Sequence, residues 1–172
     1  MKRRLSIAVA LLAALAMVMT MSVSVFASGM SRDDALKKAL KNAGLKKSEV
    51  KLIEVDKDDG AYEVEFTQRS NGKEFDYEIG AGSGKILKKS VDYRYKRNSS
   101  HSKIGKTAAR KKVAKFSGIS YKTISKGTCR YEYDDGEGTY EVRFKRNGRS
   151  YEYDVLAPTG KVIGYEWRVI RN

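Results

Sequence analysis

Two periodicities alternate along this chain. After Ser31, the apolar residues Ala35, Leu36, Ala39, Leu40 and Ala43 recur at helical spacing, with Lys37, Lys38 and Lys41 on the other face. Ser31 with Asp34 three residues on can cap the start of that helix, Asp33 suits the positive end of its dipole, and Gly44 can end it in the left-handed region. The period then falls to two. Val50 to Asp56 is apolar and β-branched, which predicts a first strand. Tyr62, Val64 and Phe66 alternate with Glu63, Glu65 and Thr67, and Phe75, Tyr77 and Ile79 alternate with Asp76 and Glu78. Such alternation predicts strands with one buried face and one wet face. Asp58-Asp59-Gly60, Asn71-Gly72 and Gly80 to Gly84 supply the turns, and a last strand runs from Lys85 through Val91, Tyr93 and Tyr95.

The same course is then run again. Tyr62-Glu63-Val64-Glu65-Phe66 returns as Tyr140-Glu141-Val142-Arg143-Phe144, and Phe75-Asp76-Tyr77-Glu78-Ile79 as Tyr151-Glu152-Tyr153-Asp154-Val155. Ala81, Gly84, Lys85, Ile86 and Leu87 match Ala157, Gly160, Lys161, Val162 and Ile163. Upstream, Ala35, Ala39, Gly44 and Leu45 match Ala109, Val113, Gly118 and Ile119. The offset changes only in predicted loops, where insertions cost little. Matched blocks in one order mean an internal duplication. The second copy predicts a helix over 107–117 with Ala109, Val113 and Phe116 inward. Its strands carry Tyr131 and Tyr133, then Tyr140 to Phe144, then Tyr151 to Val155 across Asn147-Gly148, and last Tyr165, Trp167 and Val169. The expected fold is α+β: two tandem units, each a helix packed on a small antiparallel sheet, at residues 28–97 and 104–172, joined by a polar linker at 98–103. A unit of about 65 to 70 residues is marginal alone, so the two are expected to lean on each other.

Both halves resemble the PepSY domain, a module of the propeptides of secreted thermolysin-like metallopeptidases and of small exported bacterial proteins. The resemblance lies in the alanine-rich helix, the Tyr-Glu-Val-x-Phe strand at 62–66 and 140–144, the aromatic-acidic strand at 75–79 and 151–155, and the turns Ala81-Gly82-Ser83-Gly84-Lys85-Ile86 and Ala157-Pro158-Thr159-Gly160-Lys161-Val162. The Asp expected before each turn alanine is Gly80 in one copy and Leu156 in the other. The resemblance implies an α+β fold and a role in restraining or modulating peptidases.

The N-terminus changes the picture of where such a module works. Lys2, Arg3 and Arg4 precede an apolar run from Leu5 to Val18, and Val25-Phe26-Ala27 suits cleavage after Ala27. Residues 1–27 therefore read as a secretory signal peptide, too short in its apolar part to span a bilayer comfortably, with an uncleaved anchor as the alternative. The expected destination is secreted or at the cell envelope. The chain has 35 Lys+Arg against 21 Asp+Glu; without Lys2, Arg3 and Arg4 the formal charge is +11. Between Asp92 and Glu132 no acidic residue occurs. Arg94, Lys96, Arg97, Arg110, Lys111 and Lys112 in that stretch are candidates for an anionic surface, against the alternative of a solvated helix face.

Catalytic chemistry finds little to work with. One His (His101) and one Cys (Cys129) offer no supported triad, and no zinc-ligand spacing occurs. A calcium loop with Gly60 at its sixth position would need ligands at Val55 and Lys57, so the acidic segment is an ordinary turn. Glu63, Glu65, Asp76 and Glu78 are expected to pair across strands with Lys and Arg rather than act on a glycosidic bond. Cys129 reads as a half-buried strand thiol. These readings favour a non-enzymatic binding module without cofactor or metal, acting on no small-molecule substrate and no nucleic acid. Its expected partner is a protein, a secreted peptidase in the light of the resemblance. The second reading is electrostatic attachment to anionic wall polymer or membrane. Aromatic and Arg residues form binding hot spots, so Tyr93, Tyr95, Tyr165, Trp167 and Arg168 on the last strands are the partner-binding candidates, unless they only cover the helix side of the sheet.

Overall fold

A computed structural model describes residues 29–95, 102–134 and 136–170. The expected signal peptide, Lys96, Arg97 and the linker residues 98–101 lie outside the described residues. The elements follow in the order α1 (Arg32–Ala43), a 3-10 turn (Lys47–Glu49), β1 (Val50–Asp58), β2 (Ala61–Gln68), β3 (Glu74–Gly80), β4 (Ile86–Asp92), α2 (Lys106–Ser117), α3 (Tyr121–Ile124), β5 (Thr128–Asp134), β6 (Glu137–Arg146), β7 (Arg149–Leu156) and β8 (Val162–Val169).

The α+β class holds, but the sheet is not divided in two. All eight strands form one antiparallel sheet in the order β1-β2-β3-β4-β8-β7-β6-β5. The last strands of the two halves pair directly, with Val91 opposite Tyr165 and Lys89 opposite Trp167. Two separate sheets would each present an outer edge of unpaired N–H and C=O groups here; β4–β8 pairing removes both edges. Tyr165 packs against the buried cluster of either half, so the core also runs across the junction.

Local chemistry explains the elements. At α1, Ser31 Oγ accepts from the Asp34 N–H while Asp34 reaches back to the Ser31 N–H, and Gly44 closes the helix at φ 71°. At α2 the cap residue is Gly105, with no side-chain cap bond. Asp59-Gly60 and Asn147-Gly148 both hold positive φ at two-residue hairpin turns, the left-handed geometry that matches strand twist. Asn71-Gly72 instead sits in a longer loop, closed by Gly72 N–H donating to Gln68 O. β1 departs from expectation: its register slips between Lys51 and Glu54, Leu52 stands at φ 51° and is 76% exposed. A bulge on an outer strand turns these aliphatics out and blunts the edge. Phe116, expected inward, is 45% exposed, and Tyr133 is 46% exposed at the far end of β5.

Register fixes which side chains share a face. One row across the strands reads Phe66, Phe75, Val91, Tyr165, Tyr153, Val142, Cys129. Ala35, Leu36, Ala39 and Leu40 of α1 pack on its first part, and Ala109 and Val113 of α2 on its second. Both long helices therefore lie on one side of the sheet. Among the described residues no helix packs on the other side, called the bare side below.

Candidate functional site

The bare side is defined by three rows of side chains running across the strands. The first reads Thr67, Glu74, Asp92, Gly164, Asp154, Glu141, Arg130. The second reads Glu54, Glu65, Asp76, Ser90, Glu166, Glu152, Arg143, Thr128. The third reads Asp56, Glu63, Glu78, Lys88, Arg168, Ser150, Lys145. Carboxylates outnumber bases on a protein whose net charge is +14. The expectation that Glu63, Glu65, Asp76 and Glu78 find cationic partners across the strands holds only at the edge of this group. Glu63 stands opposite Glu78 and Glu65 opposite Asp76, acid against acid. Directly opposed like charges destabilise a sheet.

Cations relieve this field at two places. Lys88 Nζ donates to Asp76 Oδ2 at 2.6 Å and lies 3.7 Å from Glu166 Oε2. Burial works against its charge, but these carboxylates outweigh burial and raise its pKa. In the second half Arg143 donates to Glu152 at 2.8 Å and to Glu141 at 2.6 Å, while Arg168 donates to Glu166 at 2.8 Å. Among the described residues no cation is ion-paired with Asp92 or Asp154 at the centre of the first row, and Lys88 only partly offsets the shift of Asp92. Burial, then Glu152, Glu141 and Asp92, push the Asp154 carboxyl up to about 6. Partial burial and then Glu74, Asp76 and Glu166 raise Asp92. Burial and then Glu152 raise Glu141, one of whose carboxylate oxygens is buried without a partner.

Two hollows open on this side. One of about 810 Å³ is lined by Arg143, Glu152, Glu166 and Arg168 and reaches past Lys126 to Thr123 of α3 and to the helix-side Phe144 and Tyr151. The other, about 600 Å³, lies between Asp58, Glu63 and Glu78 of the first half and Lys145, Ser150 and Arg168 of the second. Among the described residues no cluster of His, Cys, Asp and Glu is arranged to hold a metal ion.

The partner-binding candidates are scattered over both sides. Arg168 lies on the bare side, exposed. Tyr93 and Tyr165 are built into an aromatic cluster on the helix side, with Phe116 edge-on to Tyr93 at 6.0 Å and Tyr153 stacked on Tyr165 at 5.6 Å. Burial pushes the Tyr165 hydroxyl up to about 12. Tyr95 is half-buried and donates to the buried Glu137 at 2.5 Å. Trp167 is half-buried on the helix side with the Arg149 guanidinium 3.8 Å above its ring. Of the anionic-surface candidates, Arg94 is exposed and lies against Gly72, and Lys111 and Lys112 are exposed on α2. Arg110 turns inward and donates to Gly127 O at 3.1 Å. Lys106, Lys115, Lys122 and Lys126 extend the exposed cations around α2 and α3. Cys129 is buried, and burial raises its thiol pKa. Sequence reasoning placed the acidic side chains on the wet face but missed their stacking against one another, because register alone decides who faces whom.

Residues 29–89 and again 103–166 match the family described as the peptidase propeptide and YPEB domain, PepSY. The chain belongs to the PepSY family. PepSY domains are generally non-catalytic, propeptide-type modules. No curated protein matches the chain. Among solved structures, the Bacillus megaterium YpeB C-terminal domain aligns over 80% of this chain at 19% identity and TM-score 0.42; the chain spans 62% of that structure's length. A cysteine-rich secretory protein from Staphylococcus aureus aligns over 78% of this chain and 43% of its own at 14% identity and TM-score 0.36. A DUF2874 family protein from Bacteroides uniformis aligns over 76% of this chain and 86% of its own at 14% identity and TM-score 0.28. Among the described residues no helix is long and apolar enough to cross a membrane.

Proposed function

We propose that this PepSY chain is an exported binding module that docks on a secreted peptidase through the bare side of its sheet and restrains or modulates it. The observation that carries the reading is the sidedness of the sheet: both long helices lie on one side, and the other keeps a charged, hollowed surface open to a partner. A surface of that kind gives specificity and orientation through charge complementarity. Arg168 and Glu166 border the larger hollow and belong to the contact. Trp167 lies on the helix side and so stands outside that contact. The test is capture from secreted and wall fractions by the mature protein, washed at low and high salt. A peptidase retained through high salt, and slowed by added protein, supports the reading; no peptidase in the retained fraction at either salt contradicts it.

A second reading has its own observation. Lys106, Lys111, Lys112, Lys115, Lys122 and Lys126 are exposed around α2 and α3, and no acidic residue interrupts positions 93 to 131. This layer suits attachment to anionic wall polymer or membrane at the envelope, on the side opposite the acidic rows. Such binding fails as salt rises, because exposed charges are screened beyond about 10 Å at 0.1 M. Wall binding that persists at high salt contradicts it.

A further inference from the structure

The two halves end their outer strands differently. Thr67 of β2 matches Lys145 of β6, each one residue past the phenylalanine that closes the shared motif. In the first half β1 runs on past its bulge and covers this place, with Lys51 opposite Thr67 and Val50 opposite Gln68. Beyond them the Arg69 N–H donates to Glu49 O at 2.8 Å, and Arg69 Nε donates to Val50 O at 2.7 Å. In the second half β5 begins only at Thr128, opposite Arg143. Upstream of it the chain leaves the sheet, and the Gly127 N–H donates back to Ile124 O of α3 at 3.0 Å. The Asn147-Gly148 turn makes Arg146 and Arg149 the closing bonded pair of β6 and β7, so by alternation Lys145 turns its N–H and C=O toward the β5 side. Among the described residues no strand and no other backbone group pairs with Lys145 there. The hollow of about 810 Å³ opens at this place, lined by Lys126, Gly127 and Thr128 as well as by Lys145.

We infer that the free end of β6 at Lys145 is a pairing edge for an extended segment of a partner polypeptide, which lies where Val50 and Lys51 lie in the first half and carries an acidic side chain opposite Lys145. The inference rests on the docking reading of the bare side and gives its partner a local chemistry. The backbone supplies the place: one donor and one acceptor face an open hollow, and an extended segment can add to such an edge. Charge supplies the preference. Lys126, Arg143, Lys145 and Arg168 line the hollow against only two carboxylates, Glu152 and Glu166. Both carboxylates are held within the chain, Glu152 by Arg143 at 2.8 Å and Glu166 by Arg168 at 2.7 Å. Lys126 and Lys145 are exposed and form no ion pair among the described residues. A residue directly opposite Lys145 shares its face of the sheet, so a carboxylate there is favoured and a second amine repelled. In the first half the matching pair is Lys51 with the uncharged Thr67, which sets no such preference.

The experiment follows the isotope-labelled mature protein by NMR and amide hydrogen exchange, at neutral pH and low salt, during titration with acetyl-Thr-Val-Glu-Val-Thr-amide. Two twin peptides accompany it. One carries Lys in place of Glu; the other is N-methylated at its Glu, which keeps the carboxylate and removes the donor that would meet the Lys145 carbonyl. In the free protein the Lys145 amide should exchange rapidly while the matching Thr67 amide is protected. The glutamate peptide should shift and slow the Lys145 amide. Both twins, and the glutamate peptide on Lys145→Glu, should bind about tenfold more weakly. Lys111→Glu with Lys112→Glu should leave the affinity unchanged. Circular dichroism checks that the variants are folded, and the twins test the edge on the parent protein whatever the variants do. A protected Lys145 amide in the free protein, no binding of the glutamate peptide, equal binding of either twin, or loss of binding in the Lys111, Lys112 variant overturns the inference. Should the parent and Lys145→Glu capture a peptidase equally, docking on the bare side stands and the pairing edge is overturned; peptide pairing at Lys145 with no peptidase captured keeps the edge and overturns the docking reading.

Discussion

The two halves of the sheet are built on one pattern and differ where it matters electrically. Glu65 of β2 is replaced at the matching position by Arg143 of β6, and Lys88 of β4 by Gly164 of β8. The first change turns an acid-against-acid pair, Glu65 with Asp76, into an ion-paired one, Arg143 with Glu152 and Glu141. The second removes an amine and leaves a buried glycine, with the Asp92 and Asp154 carboxylates crowding the space a side chain would need. Each half thus neutralises one part of the bare side and leaves another charged. A helix-facing core needs only apolar fit and tolerates Phe75 against Tyr151 or Ile79 against Val155; the open face is set by single charges, so single substitutions rewrite it.

The largest way to break the comparison is to cut the halves apart. Tyr165 packs on both clusters and stacks on Tyr153, so Tyr165→Ala should cost about 3 kcal/mol and separate one urea transition into two. A single transition of undiminished stability would show that β4–β8 pairing alone couples the halves. Next comes Asp154. Its carboxyl holds a proton more tightly when folded, with a pKa of about 6 against the ordinary aspartate value of 3.8, so folding is favoured at low pH and weakened as pH rises through that window. Asp154→Asn should therefore gain about 2 kcal/mol at pH 7.5, short of the full value of the shift because water still reaches the group, and nothing at pH 3.5. Glu78→Gln, the matching change opposite Lys88, should give no such gain. The smallest effect concerns the exchanged pair. Arg143→Ala should lose about 1 kcal/mol and Glu65→Arg gain about 0.5 kcal/mol in thermal melts, both fading at 1 M salt. Equal and salt-independent changes would remove charge as the distinction between the halves.

Much of this fold can be read from the residues alone. Ser31 with Asp34, Gly44, the alternation at 62–66 and 75–79, and the Asp59-Gly60 and Asn147-Gly148 turns all act within a few residues of themselves, and local chemistry specifies them. The joining of β4 to β8 is different. It depends on two edges far apart in sequence, and nothing in either strand names the other. For the same reason the acid-against-acid pairs and the seam between Asp92 and Asp154 stayed hidden, since both follow from register across strands. The bulge at Leu52 was hidden too, because the stretch reads as a continuous apolar strand until the edge is considered. The exchange at Gly164 left one trace in the sequence: a lysine in one copy at the position of a glycine in the other.

The most direct test of the account is carboxyl footprinting of the mature protein, free and bound to its captured peptidase, by carbodiimide labelling and mass spectrometry. The account predicts that Glu65, Asp76, Asp92 and Glu166 lose labelling in the complex while amine labelling of Lys111 and Lys112 on α2 is unchanged. Protection of Lys111 and Lys112 with the bare-side carboxylates still fully labelled would contradict it and place the partner on the helices.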